Sequence, residues 1–131
     1  MEQAKAEEQL EAHIVLLERA LENLTDALRE PYTDFMRDAI IKRFEYVFEL
    51  SWKTIQIAVN FIGSRCNSPR EAIRSAFQQN WTQDADPWFK ALEARNNSSH
   101  TYNEDLAKEV YEIAKFFPPK VQELLAGLKK I

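Results

Sequence analysis

The chain has 131 residues, 45% of them hydrophobic, and a net charge of −4. That is the length of one domain with enough apolar side chain for a packed core, so a single folded domain over residues 1–131 is expected rather than disorder. Two glycines and five prolines are too few for a turn-rich all-β fold, and the absence of a glycine-rich segment excludes a phosphate cradle of the ATP or dinucleotide type.

The first helix has the clearest signal. Leu10, Ile14, Leu17, Leu21, Leu24 and Leu28 alternate spacings of four and three, the seam of a helix lying along a bundle. His13 falls off this seam and is expected to be exposed; Pro31 ends the helix. The second helix is predicted from Thr33 or Asp34 to Ile62. Met36, Ile40, Phe44, Val47, Phe48, Ser51, Ile55, Ala58 and Ile62 cover one face, and Ile41, Trp52 and Val59 widen it. A helix apolar over more than half its circumference is central and touched by several partners. Gly63 is a natural stop for it.

"SPRE", Ser68 to Glu71, has the form of a capping box with Pro69 at the first helical position. The third helix starting there is expected to bury Ile73, Ala76 and Phe77, and Asn80 can end it. In "DADPW", Asp86 is the expected cap of a fourth helix that turns Trp88 and Leu92 inward and ends near Arg95–Asn97. "TYNE", Thr101 to Glu104, reads as a second capping box opening a fifth helix with the stripe Leu106, Val110, Ile113 and Phe117. Pro118–Pro119 breaks or kinks it before a last helix carrying Val121, Leu124, Leu125 and Leu128. The fold class is therefore all-α, an antiparallel up-and-down bundle with a four-helix core and five to six helices.

Charge is unevenly placed. Residues 1–30 carry three Lys/Arg against eight Asp/Glu, whereas residues 31–80 carry seven against five. A general nucleic-acid coat is not indicated, but a local basic site away from the acidic first helix is compatible with this distribution. One cysteine, Cys66, and two histidines at scattered positions form no metal-ligand pattern, so neither a metal nor another cofactor is expected. No apolar run approaches the roughly 20 residues of a membrane span, and the acidic N-terminus lacks a signal-peptide core. The expected location is the cytoplasm, without a membrane partner.

The chemistry concentrates in "RNNSSHTY", Arg95 to Tyr102. Within one continuous helix Arg95 and His100 would face different ways. Asn-Asn-Ser-Ser breaks helices through side-chain to backbone bonds and lets the two converge. Arginine holds a phosphate bidentately, and histidine is suited to moving a proton near neutrality. Together they suit metal-independent RNA cleavage, in which a 2′-hydroxyl attacks its own phosphodiester. The plainer reading is a helix–helix turn and nothing more. On the second helix, Glu45 and Glu49 repel at one helical turn unless offset by Lys42 and Lys53, and either acid is placed to hold Arg95.

"RDAIIKRFEYVFELSWKTI", "SPREAIRSAF" and "RNNSSHTYNE" resemble, in order and spacing, the nucleotidyltransferase substrate-binding proteins, small helical members of the HEPN superfamily. The resemblance covers roughly residues 37–111. It implies a bundle that pairs into a homodimer and a minimal nucleotidyltransferase as partner. The HEPN pattern, an arginine, a polar residue and a histidine four to six positions on, is matched by Arg95, Asn96 and His100. In the toxin branch a tyrosine follows two positions later, as Tyr102 does here, and is the residue the partner modifies with a nucleotide to silence RNA cleavage.

The resemblance thus implies catalytic roles for Arg95, Asn96 and His100 and an acceptor role for Tyr102. Arg43, Glu45, Glu49, Lys53, Arg70 and Arg74 are supporting candidates for contact with the partner or with RNA. A structural dimer with a vestigial motif is the remaining alternative. The sequence departs from the family pattern at Pro118–Pro119, which interrupts what is usually one long last helix.

Overall fold

A computed structural model describes residues 2–131 and shows, among them, helices and turns with no strand. In chain order the helices are α1 (Glu2–Leu28), α2 (Asp34–Phe61), α3 (Pro69–Gln78), α4 (Asp86–Asn97), α5 (Glu104–Phe116) and α6 (Pro118–Leu128), with a 3-10 turn at Ser98–His100 between α4 and α5. No helix among the described residues is long and apolar enough to cross a membrane.

The helix ends follow local chemistry where a side chain is free to cap. Thr33 accepts from the Met36 N–H at 3.0 Å, and Ser68 accepts from the Glu71 N–H at 3.1 Å while Glu71 accepts from the Asn67 N–H at 2.6 Å. Gly63 takes φ 88° beyond α2 and Asn80 takes φ 62° beyond α3, left-handed positions that end a helix cheaply. Two expected caps are displaced. Asp86 is itself helical, its N–H bonded to the Asp84 carboxylate at 3.0 Å. Asn103, not Thr101, caps α5 by accepting from the N–H groups of Asp105 and Leu106.

The α1 seam packs as its spacing predicts, with Leu10, Ile14, Leu17, Leu21 and Leu24 buried against α2. His13 is half-buried rather than exposed, its Nδ1 3.0 Å from the Gln9 carbonyl oxygen. On α2 the buried set runs from Arg37 and Ile40 to Val59, while Ile62 lies outside it. On α5 the stripe is centred one position away from expectation: Ala107, Val110 and Ala114 are buried, and Leu106 and Ile113 only partly so. Phe77 is the clearest departure, 49% exposed, because the helices beside α3 cover Ala72, Ile73 and Ala76 and leave its edge uncovered.

Pro118 separates α5 from α6 and puts Phe117 at the junction. The Phe117 ring meets Phe44 and Trp88 edge-on, at centroid distances of 5.2 and 5.1 Å, and lies tilted against Phe48 at 6.3 Å. This cluster binds α2, α4 and the α5–α6 junction together.

A second long-range tie is ionic. Arg37, whose side chain is only 6% exposed, donates from Nη1 and Nη2 to the two Glu104 carboxylate oxygens at 2.8 and 3.3 Å. The Glu104 bond raises the Arg37 pKa above the ordinary arginine value against the opposing effect of burial. The same bond, with the guanidinium charge, holds the Glu104 carboxyl below its ordinary pKa.

Two outcomes test these contacts. A Cβ on Gly127 would stand 2.7 Å from the Trp81 Cα, a backbone atom that cannot swing aside. Gly127→Ala is therefore expected to lose roughly 1–3 kcal/mol by overpacking, more than the ~1 kcal/mol that alanine gains in a helix; urea unfolding measures the difference. For Glu104, a folded-state pKa below the unfolded one means stability that is complete above the unfolded value of about 4.3 and is lost as pH falls through the folded value. Wild type should accordingly lose more stability than Glu104→Gln between about pH 6 and about pH 3. Equal losses would show that the pair contributes nothing.

Candidate active-site turn

The turn from α4 to α5 is built stepwise. Helix α4 runs through Arg95, Asn96 and Asn97, so the asparagines do not break it. The break comes later, where Ser98–His100 tightens to a 3-10 turn. Ser98 is buried and its hydroxyl donates to the Arg95 carbonyl at 2.6 Å, drawing the chain tight at the helix end. The His100 carbonyl then accepts from the Asn103 N–H at 3.0 Å, and Asn103 starts α5.

Arg95 leaves the last turn of α4 and reaches α2. Its Nη2 lies 2.5 Å from Glu49 Oε2, and its Nη1 donates to Asn96 Oδ1 at 3.3 Å. The other Glu49 oxygen is 3.6 Å from Lys53 Nζ. The side chains of Arg95 and Glu49 are 33% and 32% exposed, so the pair adds roughly 0–1 kcal/mol to stability. Its consequence is orientation: a partly exposed guanidinium turned toward α2 and held there by a carboxylate.

His100 and Tyr102 stand on the exposed part of the turn. The Tyr102 hydroxyl lies 3.5 Å from His100 Nδ1, and the two rings meet edge-on at 5.9 Å between centroids. Tyr102 is 84% exposed. A phenol open to solvent is accessible to another macromolecule, and an imidazole beside it is a group of the kind used in general acid–base chemistry. Among the described residues no group of three or more His, Cys, Asp or Glu side chains is arranged to hold a metal ion.

The supporting candidates divide. Glu49 and Lys53 stand at Arg95, whereas Glu45, one turn back on α2, is half-buried and is not the acid that Arg95 bonds. Arg43 turns to α1, donating to the Asn23 carbonyl at 2.6 Å. Arg70 and Arg74 lie exposed on α3, Arg70 with its guanidinium 5.2 Å from the Phe89 ring centroid on α4. A groove of about 450 Å³ runs between α4 and α5 from Asn97, with Ala94, Val110 and Ile113 as apolar lining and Lys90, Glu93 and Lys108 beside them.

Sequence reasoning missed Arg37 and its tie to Glu104, two residues beyond Tyr102. One signal was present. Arg37 precedes Ile40, Ile41 and Phe44 by three, four and seven positions, so it occupies the apolar face of α2, where an arginine must find a partner.

Comparison with known proteins places this architecture. A crystal structure of a protein from Thermus thermophilus is similar with a TM-score of 0.81 and 31% identity, covering 86% of this chain and 98% of that one. The Haemophilus influenzae protein HI0074, whose structure is described as the fold of a substrate binding domain of a nucleotidyltransferase, shares the fold with a TM-score of 0.68 at 24% identity, over 93% of this chain and 98% of that one. The curated "Probable ribonuclease HepT" of Haemophilus influenzae is 32% identical over 76 residues, 54% of this chain, and the match spans about half (52%) of that relative's length. The pattern of the family described as "Nucleotidyltransferase substrate binding protein like" matches residues 7–130. With nearly the whole chain matched and the bundle in common, this protein belongs to the nucleotidyltransferase substrate binding protein like family.

Proposed function

We propose that this chain is the partner subunit of a minimal nucleotidyltransferase in a two-component, toxin–antitoxin-like pair, with Tyr102 as the nucleotidylation acceptor. The observation that carries this reading is the position of Tyr102. It is a large aromatic side chain almost wholly in solvent, at the tip of a turn whose ends are fastened. In the transfer, Tyr102 Oη attacks the α-phosphorus of a nucleoside triphosphate held by the transferase. A phosphorus–oxygen bond forms to the tyrosine, pyrophosphate leaves, and the phenolic proton passes to a base, for which His100 Nδ1 is adjacent. Family membership supports the class of partner.

A second reading is favoured by a separate observation, the partly exposed Arg95 side chain at the end of α4, five residues before exposed His100. It is endoribonuclease activity that the transferase silences. Arg95 would grip the scissile phosphate, with Asn96 orienting it. His100 would take the proton of the 2′-hydroxyl as that oxygen bonds phosphorus, and the 5′-oxygen would leave and take a proton from solvent, giving a cyclic phosphate and a 5′-hydroxyl end. No metal or cofactor enters this step. Similarity to a protein named a probable ribonuclease supports it over the matched half. Arg70, Arg74 and Lys53 are candidates to guide the RNA. A homodimer joined along the α4–α5 groove would set two such turns near one another, and the apolar lining of that groove supports pairing there. The two readings are compatible, since a nuclease can be its partner's substrate.

Incubated with its genome-neighbour transferase and nucleoside triphosphates labelled at the α-phosphate, wild type should take up label and Tyr102→Phe should not. Label of equal intensity on both would remove Tyr102 from the reaction. With a pool of end-labelled single-stranded RNA and no transferase, His100→Ala should cleave at least about 100-fold more slowly than wild type. Cleavage at the same rate would remove the nuclease assignment to His100, and absence of cleavage by both folded proteins would leave the acceptor reading alone.

A further inference from the structure

A charged side chain taken out of water needs a reason. In the Arg37–Glu104 pair only Arg37 is taken out of water, since the Glu104 side chain is 66% exposed. Burying the guanidinium costs desolvation that an apolar side chain of similar volume avoids, so the pair is a poor device for stability alone. Its cost is visible: Arg37 Nε is buried without a hydrogen-bond partner, with the Asp38 carboxylate 3.5 Å away. What such a pair does provide is a fixed place. The planar guanidinium offers parallel donors to both carboxylate oxygens and so sets direction as well as distance.

The place it fixes is specific. Glu104 is the first residue of α5, two positions beyond Tyr102 and four beyond His100. From Ser99 to Leu106 none of the side chains is fully buried, so apolar packing does not hold this stretch to the bundle. Its fastenings lie at the two ends. Ser98 ties the first end to Arg95, and Glu104 ties the second to Arg37 on α2, 67 residues away in sequence. Phe44, two turns further along α2, is already locked against Phe117, so the cohesion of α2 with α5 does not depend on the ion pair. The start of α5 does.

We propose that Arg37 and Glu104 are a positioning pair for the active-site turn: their bidentate contact fixes the start of α5 on α2 and thereby where His100 and Tyr102 stand relative to Arg95. This inference rests on the reading of residues 95–102 as the functional site. Neither residue touches the reacting groups. Both act through the turn, and Glu49 holds Arg95 from the same helix α2, so one helix sets both halves of the motif.

The chain has two histidines, which gives a direct test. In wild type the imidazole resonances of His100 report the turn, and those of His13 serve as an internal control. Arg43 lies beside Asn23 in the α1–α2 hairpin, and His13 is ten residues back along α1 from that contact, roughly 15 Å beyond it on the side away from Arg37.

Two variants are compared with wild type by imidazole NMR, by urea unfolding and by cleavage of labelled single-stranded RNA. They are Glu104→Gln and the paired Arg37→Met/Glu104→Gln. The paired variant keeps the fold measurable because no unpaired charge stays buried. The expected result is displaced or broadened His100 resonances in both, unchanged His13 resonances, and kcat lower by about tenfold to a hundredfold with KM nearly unchanged, the signature of a misplaced group. His100 resonances and kcat at wild-type values, with only stability changed, would overturn the proposal and leave the pair architectural. Displaced His100 resonances in a chain that cleaves no RNA even as wild type would uphold the positioning role while removing the nuclease reading.

Discussion

Phe117 lies where α2, α4 and the α5–α6 junction converge, its ring met edge-on by Phe44 and Trp88 and tilted against Phe48. Each such aromatic contact adds about 0.5–1.5 kcal/mol beyond the area it buries. The ring also sets the spacing between helices, because a closely packed core tolerates little change in volume. Pro118 creates the position. By ending the α5 hydrogen-bond ladder it lets the chain change course at Phe117, so that one residue serves two helices. What interrupts the helix in sequence is thus what seats Phe117 in the core.

The charged contacts depend on that spacing and add little to it. Arg95 and Glu49 are each about one-third exposed, and Lys129 with Glu18 at 3.0 Å is an exposed tie between α6 and α1. Pairs of this kind change stability by roughly 0–1 kcal/mol, far less than the apolar core contributes. They determine direction, in particular that the Arg95 guanidinium is turned toward α2.

Rigidity and access meet at the turn. Either proposed chemistry needs an exposed group: a tyrosine must enter a transferase active site, and a histidine must reach an RNA backbone. Exposure normally brings mobility, because backbone without buried side chains opens easily. Here the exposed stretch is short and both of its ends are fastened, by the Ser98 hydroxyl and by the Glu104 carboxylate. His100 and Tyr102 share an edge-on contact between these ends, so these two exposed side chains also touch one another.

Interactions spanning a few residues were legible from the sequence. The α1 seam follows from helical periodicity, the Ser68 cap from a hydroxyl three residues before an acid, and the α5–α6 break from a missing proline N–H. The order of Arg95, Asn96, His100 and Tyr102 was equally plain, and so was the placing of Arg95 on the last turn of one helix with His100 and Tyr102 before the next. Tertiary structure decided what lies across a gap.

Glu45 and Glu49 share one face of α2, and only the crossing of α4 selects Glu49 as the partner of Arg95. Phe77 follows the period of its helix, but no neighbour covers its edge. Thr101 had the pattern of a cap, yet the Glu104 that would complete its box is taken by Arg37, and Asn103 caps α5 instead. The reason is one of reach. Capping and periodicity are settled within a turn or two of the same helix, whereas the partner of a long charged side chain depends on which helices packing brings beside it.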